Sequence, residues 1–266
     1  MGLAVCATPI GNLDDVTLRV LDELRAADVV LAEDTRRTRG LLDRHGITAR
    51  LLSYHEHNEA ARAAELLPRL RAGERMALVS DAGMPLVSDP GGRLVRAALE
   101  AGVPVTVLPG PSAVETALVA SGLAGERFAF VGFLPRRAGE LDAFWRESAA
   151  WGTALVAFES PARLPATLRS LAAFDPGREV AVCRELTKLH EEVVRGSAAE
   201  VAGRFTEPPK GEITLVLGSV RAAPDVAGAR ASVAELVAAG ARRGVAAEVV
   251  SRLSGVARND LYRSTL

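Results

Sequence analysis

Short apolar runs alternate with amphipathic stretches almost from one end of this chain to the other, and no other feature narrows its architecture so far. Runs of five or six residues at 3–7, 28–32, 50–54, 75–80 and 103–108 read as strands, and a second set follows at 128–132, 154–158, 179–184 and 212–217. Helical patterns lie between them, for example at 18–27, 60–71, 93–101 and 113–121. In 93–101 the apolar residues Leu94, Val95, Ala98 and Leu99 share one face. Strand–helix alternation over this length predicts α/β sheets with helices on their faces. An all-helical chain would leave the β-branched runs without a role.

Punctuation divides the chain. Pro109-Gly110-Pro111 ends a strand and opens a helix, which places a domain break there. After Leu217 the run 218–224 reads as a linker and the strand pattern does not return. Helical stretches follow at 233–239, 246–253 and 258–264, with Gly244 and Gly255 as breaks, a pattern that suits a helix-turn-helix module. The expected organisation is an α/β domain over 1–109, a second over 110–222 and a small helical module over 223–266.

Composition excludes several classes. No apolar stretch approaches the roughly 20 residues of a membrane-spanning helix. The first residues lack the basic region and apolar core of a signal peptide, and Cys6 and Cys183 sit in strand-like runs as expected of buried free thiols. A cytoplasmic protein is therefore expected. The net charge of −1 lacks the basic balance of a dedicated nucleic-acid binder, so any RNA contact must come from local patches. Of 32 basic side chains only Lys188 and Lys210 are lysines. A lysine that survives such a bias can be one whose flexible, tunable ammonium has no substitute, or one retained by chance.

Most unusual residues fall just after strands, where open α/β sheets place their ligands. Thr8-Pro9-Ile10-Gly11-Asn12-Leu13 follows the first strand as a sharp turn, without the pattern of a phosphate cradle. The run 80–92 carries Asp81 and Asp89 among small residues and prolines. Either aspartate could bind a ligand hydroxyl or ammonium or cap the helix beginning near Pro90, the cap suiting Asp89 better and the ligand Asp81. Ser112 either caps the next helix or helps its backbone donors hold a ligand. Further polar loops hold Phe158-Glu159-Ser160, then Arg184-Glu185-Leu186-Thr187-Lys188 with His190 to Glu192, and then Lys210-Gly211-Glu212. The segment 54–59 contains His55 and His57, but residues two apart do not share a helical face and no third ligand lies near, so no metal is expected.

Nine segments in order resemble the tetrapyrrole methylase superfamily. They are TPIGNLDDVTLR (8–19), EDTRRT (33–38), SYHEHNE (53–59), SDAGMPLVSDPG (80–91), PGPSAVETALVASGL (109–123), GFLPRR (132–137), FESPARL (158–164), RELTKLHEEVVRG (184–196) and KGE (210–212). Within that superfamily they are similar to the bacterial methyltransferases of small-subunit (16S) ribosomal RNA that modify a cytidine 2′-oxygen in the decoding region. The resemblance implies a two-domain α/β fold with the methyl donor, S-adenosyl-L-methionine, in the cleft between the domains. It implies donor contacts from Pro9, Val79, Ser80, Asp81, Gly83, Pro85, Ser112, Ala113, Phe158, Glu159, Leu186, Gly211, Glu212 and Ile213. It also implies a homodimer. Met84 stands where the family pattern has Thr, and Ala162 where it has His, so that loop offers no catalytic histidine.

A ribose hydroxyl is a poor nucleophile at neutral pH and benefits from a positioned base or a nearby cation. Lys188 fits either need, and Asp34 and His55 are alternative bases. Arg36, Arg37, Arg136 and Arg137 are expected in loops suited to phosphate contact or to plain surface, and Arg258, Asn259 and Arg263 are exposed candidates on the last helix. Two partners compete as substrate: ribosomal RNA, free or in the assembled small subunit, and a tetrapyrrole or protein side chain handled by the same fold. The terminal helices and the SYHEHNE and RELTK segments favour RNA.

Overall fold

The computed structural model describes residues 2–220 and 226–263. Leu3–Cys6 (β1), Val29–Ala32 (β2), Leu51–Ser53 (β3), Met76–Val79 (β4) and Val105–Leu108 (β5) form a wholly parallel sheet in the order β3-β2-β4-β1-β5. Helices Leu18–Ala26 (α1), Thr35–Arg44 (α2), Glu59–Arg71 (α3) and Gly92–Glu100 (α4) connect its strands. The period of two explains the continuous apolar runs. Leu3, Val5, Leu31 and Leu78 face a core with Tyr54, Leu66 and Leu94, while Ala4, Cys6, Val30 and Val79 face another with Val20, Leu24 and Leu42.

Ala113–Ser121 (α5) leads to the second sheet. Phe128–Phe133 (β6), Ala154–Glu159 (β7), Glu179–Arg184 (β8), Glu192–Ser197 (β9) and Ile213–Leu217 (β10) take the order β6-β7-β10-β8-β9, parallel at β6–β7 and antiparallel elsewhere. One face packs on Ala138–Ala149 (α6), Leu164–Phe174 (α7) and Ala198–Arg204 (α8) through Trp145, Leu168 and Val201. The other face packs on Val114, Ala117 and Leu118 of α5.

The edge strand β9 corrects the expectation of a loop through Glu192. Of its residues only Val194 is buried, so the strand has almost no apolar signature and owes its existence to pairing with β8. It ends at Ser197, whose hydroxyl accepts from Glu200 N while the Glu200 carboxylate accepts from Ser197 N, a reciprocal cap that starts α8.

Both sheets belong to one compact unit, Met1–Trp145 with Thr153–Ser219; Arg146–Gly152 and Val220–Leu266 make a second. The second unit contains Val226–Ala238 (α9), Arg243–Ser254 (α10) and Arg258–Arg263 (α11) around Ala229, Val233, Ala247, Val250, Val256 and Leu261. Gly244 lies inside α10 and does not break it; the turn falls at Gly240, with Gly255 in the left-handed conformation as the next. Leu253, near the end of α10, is 79% exposed. The expected positions 223–225 and 264–266 of the module lie outside the described residues.

Candidate active site

Strand order creates the site. With β2, β4, β1 and β5 adjacent, the residues following Ala32, Val79, Cys6 and Leu108 come side by side at the carboxyl edge of the first sheet. Hydrogen bonds stitch these loops together. Thr8 N donates to Gly83 O at 2.8 Å, Gly83 N to Thr8 O at 3.0 Å, and Asp34 N to Asp81 Oδ1 at 2.9 Å. In the second sheet Ile213 pairs with both Glu159 and Arg184, so the loops after β7 and β8 and before β10 share one end.

The two sets of loops meet at Gly11. Asn12 N donates to Thr187 Oγ1 at 3.0 Å, and a Cβ on Gly11 would stand 2.5 Å from Lys188 Cγ and 2.8 Å from Leu186 O. Gly211 serves the same end, with φ +98° and a would-be Cβ 2.3 Å from Glu185 Cγ. These close approaches bring the RELTK loop against TPIGN and KGE.

Between the loops lies a cavity of about 550 Å³, within the range of small-molecule sites. Ile10, Val114, Phe133, Phe158 and Leu186 give it apolar walls, and Glu33, Asp81 and Asp89 line its other side. Of the residues for which the resemblance implies donor contacts, Asp81, Gly83, Ser112, Ala113, Phe158, Glu159, Leu186, Gly211, Glu212 and Ile213 line it. Pro9 and Ser80 line a smaller cavity of about 260 Å³ that shares Ile10, Arg37, Asp81 and Glu212 with the first. Val79 and Pro85 line neither, and Val79 is core, 2% exposed.

The Glu159 side chain is fully buried and engaged. Arg163 pairs with it at 2.5 Å, and Thr167 Oγ1 and Ser160 N donate to it at 2.6 Å each. Arg163 also donates to Leu134 O at 3.2 Å, which ties the GFLPRR loop to this end of the sheet. Ser112 stands at the start of α5 without a side-chain cap; its hydroxyl donates instead to Glu115.

The three expected proton acceptors fare differently. Lys188 lines the smaller cavity, with Nζ 2.8 Å from Glu185 Oε1 and 2.9 Å from Glu212 Oε2. Burial lowers its proton affinity, but hydrogen bonds and charge from both carboxylates outweigh that and raise it above the usual lysine value. Lys188 is thus held between two carboxylates that favour its charged form. Asp34 lines neither cavity. It caps α2, accepting from Arg36 N at 2.9 Å, and hydrogen bonds from the Arg36 side chain, then its backbone, bring its carboxyl down to about 2. His55 also lines neither cavity; its Nε2 lies 3.2 Å from Asn58 Nδ2 and its Nδ1 is buried without a partner.

Arg36 and Arg37 sit on the first turn of α2, not in a loop. Only two apolar residues, Leu41 and Leu42, with Thr38, mark the buried face of that helix, so its period is hidden in the sequence. Arg37 reaches both cavities, with Nε 3.6 Å from Asp81 Oδ2, whereas Arg36 is taken up by Asp34. Arg136 and Arg137 are exposed and line neither cavity, and Arg137 pairs with Glu140 at 3.1 Å. Arg258, Asn259 and Arg263 are exposed on α11 of the second unit.

Sequence reasoning favoured a helix cap for Asp89 and gave Glu33 no role. Asp89 does not cap α4: the cap position is Gly91, and Glu59 Oε1 accepts from Gly91 N at 3.1 Å and Arg93 N at 3.0 Å. Asp89 instead faces the cavity, where burial and then the charge of Glu33 push its carboxyl up to about 7, with Asp81 adding and the Ser80 hydroxyl opposing. Burial, then Asp81, raises Glu33 as well. The cavity thiol Cys183 is driven up to about 11, chiefly by burial. Among the described residues no group of three or more His, Cys, Asp or Glu is arranged to hold a metal, and no helix is long and apolar enough to cross a membrane.

A parallel sheet joined to a mixed one, with a ligand-sized cavity where their loops meet, defines the class. The chain belongs to the tetrapyrrole (corrin/porphyrin) methylase family, whose model matches residues 2–202. It is 47% identical over 219 residues to the ribosomal RNA small subunit methyltransferase I of Thermotoga maritima, covering 81% of this chain and 97% of that one. To the protein of the same name from Mesorhizobium japonicum it is 42% identical, over 99% of this chain and 91% of that one. Among solved structures it resembles the uroporphyrin-III C-methyltransferase of Thermus thermophilus in complex with S-adenosylhomocysteine, with a TM-score of 0.57 at 23% identity, over 83% of this chain and 98% of that one.

Proposed function

We propose that this chain transfers a methyl group from S-adenosyl-L-methionine to the 2′-hydroxyl of a cytidine ribose in the decoding region of small-subunit ribosomal RNA, acting in the cytoplasm as a homodimer. The observation that carries the reading is the 550 Å³ cavity, apolar on one side and carboxylate-lined on the other. Such a site suits a nucleoside ring against Phe158 and Leu186 and a cationic group toward Asp81 and Glu33. The names of the relatives reported above support RNA as the acceptor.

Bound there, the donor supplies a sulfonium methyl for in-line displacement. The protein's part is positioning, which accounts for much of the rate in such reactions. Gly11 and Gly211 allow the loops of the two sheets to close on one another, and Lys188 holds Glu185 and Glu212 in place. Arg37, at the boundary of the two cavities, is placed to meet a backbone phosphate beside the reacting ribose. Arg258, Asn259 and Arg263 give the terminal helices a polar face for RNA.

The test is to supply labelled donor with undermethylated small subunits, with free ribosomal RNA and with a uroporphyrinogen-type tetrapyrrole. Label in the RNA of the subunits is the expected result. Label only in the tetrapyrrole would overturn the reading.

A further inference from the structure

Resting on that reading of the cavity, we infer that Asp89 is the group that takes the proton from the attacking hydroxyl. The inference comes from what the carboxylates and the thiol on the cavity wall are already doing; Glu33, which lines the wall without an ion pair among the described residues, is the group that faces the donor's cation in that reading. Glu159 is saturated by Arg163, Thr167 and Ser160 N. Glu212 is paired with Lys188, and Asp81 accepts from Asp34 N and faces Arg37. Cys183 points its thiol at Ala117 O at 3.7 Å and belongs to an apolar core. Asp89 lines the same cavity and, among the described residues, is paired with no basic side chain.

Its surroundings suit the task. The groups facing it are the carboxylates of Glu33, after β2, and Asp81, after β4, together with the Ser80 hydroxyl; Arg37 of α2 is engaged with Asp81, and His55 adds a weak downward pull on Glu33. Burial and the Glu33 charge bring Asp89 to about 7, near the operating pH at which a base is most effective. An ordinary exposed carboxylate would be too weak a base. In the step itself the oxygen–methyl bond forms as the donor's sulfur–methyl bond breaks. Sulfur keeps the bonding pair, and the hydroxyl proton passes to the Asp89 carboxylate.

The experiment uses the full chain as wild type, Asp89→Asn, Glu33→Gln and Ser80→Ala. S-adenosylhomocysteine binding is measured by calorimetry, the aspartate carboxyl carbons are titrated by NMR, and single-turnover methyl transfer to undermethylated subunits is followed against pH. The expected carboxyl titration near pH 7 is absent from Asp89→Asn, moves down in Glu33→Gln and moves up in Ser80→Ala. The wild-type transfer rate rises through the same midpoint. Asp89→Asn binds S-adenosylhomocysteine as wild type does but transfers methyl at least about 100-fold more slowly, the low end for losing a general base. Transfer by Asp89→Asn within tenfold of wild type, or a rate midpoint that ignores Glu33→Gln, overturns the inference. Should wild type methylate some acceptor other than RNA, the reading of function falls, while the carboxyl titration and its displacement still decide whether Asp89 holds this proton.

Discussion

Lys188 Nζ lies 2.9 Å from Glu212 Oε2, and this contact joins the loop after β8 to the start of β10 at the mouth of the smaller cavity. Glu185 completes the arrangement, accepting from Lys188 Nζ at 2.8 Å and from Glu212 N at 2.9 Å. The lysine is the pin of a loop cluster. Lys188→Met should leave two carboxylates facing each other and weaken S-adenosylhomocysteine binding about tenfold, or 1.4 kcal/mol. Gly11→Ala, which pushes on Lys188 Cγ, should do the same. Calorimetry on both variants checks this, and wild-type affinity in either would detach the pin from the donor site.

Glu159 and Arg163 make the second joint. Removing the carboxylate leaves a half-buried guanidinium without its charge partner and Thr167 Oγ1 without its acceptor. Glu159→Ala should therefore cost about 3–5 kcal/mol, the range for breaking a buried pair. Glu159→Gln, which keeps the shape and one acceptor, should cost less. Denaturant unfolding of the two variants gives the comparison, and equal stabilities would mean that the shape and acceptor kept by glutamine contribute nothing.

Asp89 makes stability depend on pH in a direction opposite to most carboxylates. Its proton affinity is higher in the folded chain than in the unfolded one, from 3.8 to about 7. The folded state therefore binds more protons between those values, and stability is lost as pH rises through about 7. Asp89→Asn should remove this slope and leave the chain more stable than wild type at pH 8. The gain should be about 1 kcal/mol, well below what the full shift implies, because solvent enters an open cavity. Melting curves from pH 4 to 8 test it, and a variant with the unaltered wild-type slope would contradict it.

The polar face of α11 should matter for RNA and not for the donor. Arg258→Glu with Arg263→Glu changes exposed residues away from the buried Leu261. The expected result is unchanged folding and S-adenosylhomocysteine binding, with subunit binding weakened at least tenfold. Its dependence on salt should flatten by about one phosphate contact per lost arginine. Unchanged subunit affinity would assign the helix to packing.

The apolar alternation made the first sheet readable because its central strands β1, β2 and β4 are buried on both faces and so carry uninterrupted runs, as Leu3–Cys6 does. Strand β9 escaped because an edge strand with only Val194 buried has no such run. The donor-type loops were legible from their glycines and prolines. The carboxylates were not, since Glu33 and Asp89 are 56 positions apart and meet only because β2 and β4 are neighbours. Asp89 carried a misleading local signal, the Pro-Gly-Gly that follows it. A cap must adjoin its helix, however, and α4 begins three residues later, at Gly92. Lys188 stood out by its rarity, but its ion pairs with Glu185 and Glu212 follow no linear pattern.

Methyl transfer to a ribose oxygen of cytidine leaves the label on one particular nucleoside. Small subunits methylated by the pure protein with labelled donor should be digested to nucleosides and separated by mass spectrometry. The account requires the label in 2′-O-methylcytidine. Label in a ring-methylated cytidine, in another nucleoside or in ribosomal protein would contradict it.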